Sequence, residues 1–215
     1  MSWTISIPSS SLEFEDAHQK SSFMNFSSPG FLEITSYGWI IFVVYWIYAG
    51  LKTKKTIRRE SSMARVIYLI LMILAFELIY AHAFSRGFLA NRWIDDTRFK
   101  DQAGLSISLL GIAFAITARR WLGSNWSGAV TVKKDHELIR TGPYAITRHP
   151  IYTGMFFGLI GAALVLGEMR GIIAVILFFL SIQMKMSTEE KFLQENFREY
   201  ADYKLKTKKL IPFVY

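Results

Sequence analysis

The chain has 215 residues, 52% of them apolar, a formal charge of +8 and no cysteine. That length suits one compact unit, the apolar content and positive mean hydropathy indicate a membrane protein rather than a soluble domain, and the missing thiols exclude disulfides, thiolate catalysis and Cys-ligated metals. The basic residues cluster in loops beside apolar runs, so membrane topology and anionic lipid account for the charge better than nucleic acid does, and no nucleic-acid partner is expected.

Residues 1–31 are Ser-rich, contain Glu13, Glu15 and Asp16, and read as a mobile or surface-lying leader without the pattern of a cleaved signal. A first apolar run, about Leu32 to Leu51, has Tyr and Trp near its ends as interface anchors. Lys52, Lys54, Lys55, Arg58, Arg59 and Arg65 follow, a short basic loop that belongs on the cytoplasmic side. The second run, about Met63 to Phe84, contains Glu77 and His82. An intramembrane carboxylate is expensive, so Glu77 is either functional or paired in the bundle interior. The loop after it carries both signs of charge and is expected outside. The third run, about Leu105 to Ala118, is dense in Gly, Ala and Ser, which let helices approach closely, and ends at Arg119-Arg120.

The longest stretch between runs, Trp121 to His149, then lies on the cytoplasmic side. The segment from Arg120 to Trp126 suits an interfacial anchor better than an aromatic nucleic-acid face. Runs four (about Pro150 to Leu166) and five (about Ile172 to Met186) are joined by Gly167-Glu168-Met169-Arg170-Gly171, a length that predicts an antiparallel helical hairpin. Run five continues into a charged amphipathic helix with Phe192, Leu193 and Phe197 at helical spacing. The expected fold is therefore all-α and membrane-embedded, with about five spans, the last two a hairpin, and a cytoplasmic C-terminal helix. Its organisation is a leader over 1–31, spans one to three over 32–118, and a catalytic loop, spans four and five and a cofactor-binding helix over 119–215. The N-terminus is expected outside, the C-terminus and active site inside.

Polar side chains concentrate from His136 to Tyr152, and again from Lys185 to Glu190. A polar segment at the mouth of a membrane helix is costly unless it lines a site. Lys185 and Glu189 are four apart and share a helix face, which by itself is the spacing of an ordinary helical ion pair. Adjacent Glu189 and Glu190 should diverge and do not form a glycosidase dyad. His136 and His149 lack further ligands at metal spacing, so no metal site is expected.

Gly142-Pro143-Tyr144, Arg148-His149-Pro150-Ile151-Tyr152 and Glu189-Glu190 followed by Leu193, Phe197, Tyr200 and Tyr203, together with Leu122 to Ser127, His136 to Ile139 and Leu210-Ile211-Pro212, resemble the isoprenylcysteine carboxyl methyltransferase family. The resemblance covers roughly the last half of the chain. It implies a membrane enzyme that uses S-adenosylmethionine, releases S-adenosylhomocysteine and methylates a lipophilic small molecule or lipidated acceptor at the membrane lipid boundary. It implies cofactor contacts from Thr131, His136, Glu137, Leu138, Ile139, Tyr144, His149, Pro150, Ile151, Tyr152 and Glu189. Lys185 matches a substrate-facing arginine of the family and takes the catalytic role. Lysine lacks the bidentate fork, which opens the acceptor to a phospholipid amine or a small lipophilic thiol or acid beside a prenylcysteine carboxylate. A non-catalytic scaffold keeping the fold is the reading from another class. The oligomeric state is left open.

Overall fold

The computed structural model describes residues 30–51, 56–59, 62–123, 131–133, 138–212 and 214, of which 56–59, 62 and 131–133 by backbone alone. The leader expected over 1–31 falls outside the described residues up to position 29. The chain divides into Met1–Gly30 and Phe31–Tyr215, and every element below belongs to the second unit.

Among the described residues six α-helices follow one another: α1 (Phe31–Gly50), α2 (Ser62–Tyr80), α3 (Arg98–Leu122), α4 (Pro150–Leu166), α5 (Met169–Asn196) and α6 (Tyr200–Lys206). The loop after α1 and the loop after α3 meet in an antiparallel ribbon of β1 (Thr56–Arg59) and β2 (Thr131–Lys133), with Arg59 opposite Thr131. These are two loops that the charge pattern assigns to one side of the membrane. Among the described residues, α1, Met63–Tyr80 of α2, α3 and α5 are long and apolar enough to cross a membrane, and α4 is a shorter apolar helix. Apart from the short ribbon, the regular elements among the described residues are helical, and the protein is an integral membrane protein.

Why these helices need lipid follows from their outer faces. Ile40, Ile41, Val44 and Ile47 on α1 and Ile70 and Ile73 on α2 are each more than half exposed. Such a surface is an aggregation hazard in water and the ordinary condition against hydrocarbon. Helix α3 is longer than its apolar centre predicts. Thr97 caps its start by accepting a hydrogen bond from the Lys100 amide (3.2 Å), and Asp101 and Arg119-Arg120 oppose the helix dipole at its two ends.

Small residues set the tightest contact, between α3 and α4. A Cβ added to Gly111 would stand 2.5 Å from the Gly158 nitrogen, and one on Gly104 would stand 2.8 Å from the Gly161 carbonyl oxygen. Lipid gives two helices little hydrophobic reason to associate, so close backbone packing of this kind supplies the attraction. The expected hairpin is present but tighter, because only Gly167 and Glu168 separate α4 from α5. Gly167 takes the left-handed conformation (φ 68°) that ends α4. The two arms pack mainly elsewhere, α4 along α3 and α5 along α2. Edge-on aromatic contacts run from Trp39 through Phe76 (4.8 Å) to Phe178 (6.1 Å), joining α1, α2 and α5 across the core.

The end of the bundle away from the ribbon is held by two buried cations. Arg170 pairs with Glu168 (2.6 Å) and donates to the carbonyls of Leu78 (3.1 Å) and Ala81 (3.0 Å). Lys100 donates to the Val165 carbonyl (3.0 Å) and pairs with Asp96 (2.8 Å) and Asp101 (2.9 Å). Glu77, one turn before the end of α2, is exposed rather than turned into the bundle. Its place near a helix end lets the carboxylate reach the interface, so interior pairing is unnecessary.

Candidate active site

At the ribbon end, α3 stops at Gly123 and its Arg119 donates to the carbonyls of Gly123 (2.8 Å) and Ala49 (3.0 Å), which ties α3 to α1. The Trp121 ring lies against Gly142, and its indole N–H donates to the Thr141 hydroxyl (3.2 Å). Gly142 has φ +60°, and a Cβ there would collide with the indole. A glycine is needed on both counts. The turn Gly142–Ala145 then drives Tyr144 into the protein, 7% exposed.

The following residues are strapped down by the chain beyond α6. Arg148 N–H donates to the Lys208 carbonyl (2.8 Å) and His149 N–H to the Lys209 carbonyl (3.2 Å). The Thr147 hydroxyl also reaches the Lys209 carbonyl (2.9 Å), and the Thr153 hydroxyl donates to the Leu210 carbonyl (2.6 Å). The Tyr203 hydroxyl donates to the Tyr144 carbonyl (2.6 Å). Pro150 opens α4 at a position where a missing N–H costs nothing.

Onto this frame α5 brings Lys185, Glu189 and Glu190. Tyr152 donates to Glu189 Oε1 (2.7 Å), Lys185 Nζ lies 3.6 Å from the same oxygen, and His149 Nδ1 faces Glu189 Oε2 at 3.5 Å. The other imidazole nitrogen faces Glu190 Oε1 at 3.3 Å, and Arg148 Nε donates to that oxygen at 2.9 Å. Arg148 also donates to the carbonyls of Lys204 (3.1 Å) and Thr207. The two adjacent glutamates, expected to diverge, thus converge on one ring because His149 stands between them.

Burial opposes charge on His149, but hydrogen bonds and charge from Glu189 and Glu190 outweigh it and raise its pKa above 6.5. With a carboxylate at each nitrogen, the imidazolium has an acceptor for both protons. Burial, with the Glu189 charge adding to it, pushes the Tyr144 phenol far up, so it stays a neutral donor. Its buried hydroxyl has no hydrogen-bond partner among the described residues.

Four of the residues implied by the resemblance, His149, Tyr152, Lys185 and Glu189, thus share one network, with Tyr144 close enough to feel Glu189. Pro150 and Ile151 are buried in the first turn of α4, and Ile151 belongs to the apolar core. Leu138 and Ile139 are half-buried on the approach to Gly142. Thr131 lies in the ribbon, described by its backbone alone, and His136 and Glu137 lie outside the described residues.

Two contributors were not singled out from the sequence. Arg148 holds Glu190; its sequence signal is its place in the segment Arg148 to Tyr152 that carries the resemblance, which gives it no role of its own. Tyr68 of α2, 2% exposed, sets its ring 4.8 Å below the Lys185 ammonium and its hydroxyl 3.4 Å from Nζ. It sits in the other half of the chain with nothing local to mark it. No group of three metal-ligating side chains occurs among the described residues. A buried carboxylate beside an unpartnered hydroxyl does fit a cationic, hydrogen-bonding cofactor.

A protein-family model described as phospholipid methyltransferase matches residues 100–200. The chain is 30% identical over 156 residues to the nickel-cobalt-cadmium resistance protein NccN of Alcaligenes xylosoxydans xylosoxydans, covering 72% of this chain and 65% of that protein. It is 35% identical over 115 residues to the protein-S-isoprenylcysteine O-methyltransferase of Saccharomyces cerevisiae, covering 52% of this chain and 48% of that one. Among solved structures it resembles the eukaryotic intramembrane Ras methyltransferase ICMT, with a TM-score of 0.50 and 27% identity over 71% of this chain and 52% of that one. The chain therefore spans about half to two thirds of the length of these relatives.

Proposed function

Because residues 100–200 carry the phospholipid methyltransferase family's segment, we propose that this chain is a membrane methyltransferase that uses S-adenosylmethionine and acts on a lipophilic carboxylate of the isoprenylcysteine kind. The observation that carries the reading is the Glu189 carboxylate, held by His149, Tyr152 and Lys185 beside the unpartnered Tyr144 hydroxyl. The cofactor, when bound, supplies a methyl group on a sulfonium.

Glu189 gives the pocket the negative charge that a sulfonium and its amino group require, and Tyr144 offers one hydrogen bond. His149 fixes Glu189 from one side and Tyr152 from the other, so the carboxylate cannot swing away. Lys185 presents its ammonium where an acceptor carboxylate would approach. A carboxylate nucleophile needs no strong base, so the chain's task is orientation and exclusion of water. A cationic amine acceptor would meet repulsion from Lys185, which favours an acid over a phospholipid amine. The small lipophilic acid remains within the same chemistry. By the excess of Lys and Arg in the loops at the ribbon end, that end faces the cytoplasm.

Calorimetric titration of the detergent-purified protein with S-adenosylhomocysteine tests the reading. Saturable binding is expected, weakened roughly 100-fold by Glu189→Ala, the scale of losing a buried charged partner. Wild-type affinity in a folded Glu189→Ala variant would overturn the site. No binding by the folded parent would favour the scaffold.

A further inference from the structure

Glu190, but not Glu189, lines a recess of about 640 Å³ that the methyl-transfer reading does not use. Arg148 and Glu190 form part of its lining, and Lys204, Lys208 and Lys209 stand around them. Four cations therefore face one carboxylate. That carboxylate is already committed to Arg148 (2.9 Å), with Lys204 at 3.9 Å. The Lys209 ammonium bonds the neutral Ser187 hydroxyl (3.2 Å), and neither Lys208 nor Lys209 has an ion pair among the described residues. The surplus of positive charge is a demand for an anion.

The wall also carries apolar residues that a soluble anion would not need. Leu205 is 87% exposed and Val214 72% exposed, and both line the recess among the lysines. The recess sits where α5, a membrane-crossing helix, runs out into its charged last turns. Basic pockets at the ends of membrane helices suit lipid headgroups, with the phosphate on the cations and the glycerol and chains on the apolar rim. We infer that this recess binds the headgroup phosphate of an anionic phospholipid, as a structural or regulatory lipid distinct from the methyl acceptor. A choline headgroup is disfavoured, since its quaternary ammonium would enter the same positive field. Occupancy would also reach the transfer site, because the phosphate competes with Glu190 for Arg148 and Lys204, and Glu190 shares His149 with Glu189.

The test uses the full chain, delipidated in neutral detergent, titrated with short-chain phosphatidylglycerol, phosphatidylcholine of the same chain length, or inorganic phosphate. Binding is read by the thermal midpoint and by lipid retention in native mass spectrometry, neither of which depends on activity. Phosphatidylglycerol is expected to bind and stabilise, and the Lys208→Ala/Lys209→Ala variant to need roughly tenfold more of it. Leu205→Ser should weaken the lipid several-fold while leaving all charges in place. Equal binding of phosphatidylcholine would overturn the inference, as would inorganic phosphate as effective as the lipid, or unchanged lipid affinity in the double variant. S-adenosylhomocysteine binding measured on the same samples keeps failure here separate from failure of the transfer site.

Discussion

The two ends of the bundle both bury charge, but they satisfy it differently. At the end away from the ribbon, Arg170 and Lys100 divide their donors between the carboxylates of Glu168, Asp96 and Asp101 and the carbonyls of Leu78, Ala81 and Val165 at the ends of α2 and α4. The carbonyls neither titrate nor depart and hold each cation in place whatever its carboxylate does, so this end is a clamp. At the ribbon end, Glu189 is held by His149, Tyr152 and Lys185, side chains that can exchange protons or share a new partner. The same cost of burying charge yields rigidity at one end and a responsive pocket at the other. Arg148, at the ribbon end, is built like Arg170, with carbonyls and one carboxylate, and belongs with the clamps rather than with the Glu189 pocket.

Arg170→Met should give the largest effect on stability. It leaves Glu168 and the carbonyls of Leu78 and Ala81 without their cation, a loss of about 3–5 kcal/mol. Thermal unfolding in detergent should report it, while S-adenosylhomocysteine affinity of the folded fraction stays within about twofold of the parent. A matching loss of affinity would dissolve the distinction between the ends. Lys185→Ala should slow turnover at least about tenfold with little change in cofactor affinity, the mark of a group that acts on the acceptor. Parallel losses in both would move Lys185 to the cofactor side.

The pH response should differ between the ends as well. The His149 pKa is raised in the folded protein, so its contribution is complete below the ordinary value near 6.5 and fades as pH rises through the higher folded value. Stability at the ribbon end should therefore fall on the alkaline side, and His149→Gln should flatten the thermal midpoint against pH. A midpoint that rises through this window would mean that the neutral imidazole is the working form. Asp96 at the clamp is shifted the other way, downward, chiefly by its hydrogen bond from Lys100, so that contribution is present above the ordinary aspartate value and lost only in acid. The smallest effect expected is that of Tyr68→Phe. It keeps the ring beneath Lys185 and removes one hydroxyl, worth about 1 kcal/mol, so turnover should fall roughly fivefold. No change in turnover would assign the ring alone to positioning Lys185.

What could be read from the amino acids follows from which interactions are local. Lys185 and Glu189 are one helical turn apart, and His149-Pro150 joins a loop to a helix start, so their proximity within each segment was legible. The small residues of α3 announced close packing. Arg170 was not legible, because a charge in a short connection looks solvated until the neighbouring helix ends are known to surround it. Glu77 illustrates the same limit: composition reports depth along a helix, but the direction around its axis comes from packing. Tyr68 and the shared grip of Glu189 and Glu190 on His149 depend on contacts between distant segments, which no local pattern encodes.

The strap from Thr207 to Leu210 has a consequence for how the protein is made. It lies downstream of all five long helices, yet it supplies the carbonyls that seat Thr147, Arg148, His149 and Thr153. The pocket is therefore completed last, once the chain beyond α6 is free to fold back onto the start of α4. A variant truncated after Asn196 would keep all five long helices and still be unable to bind the methyl donor.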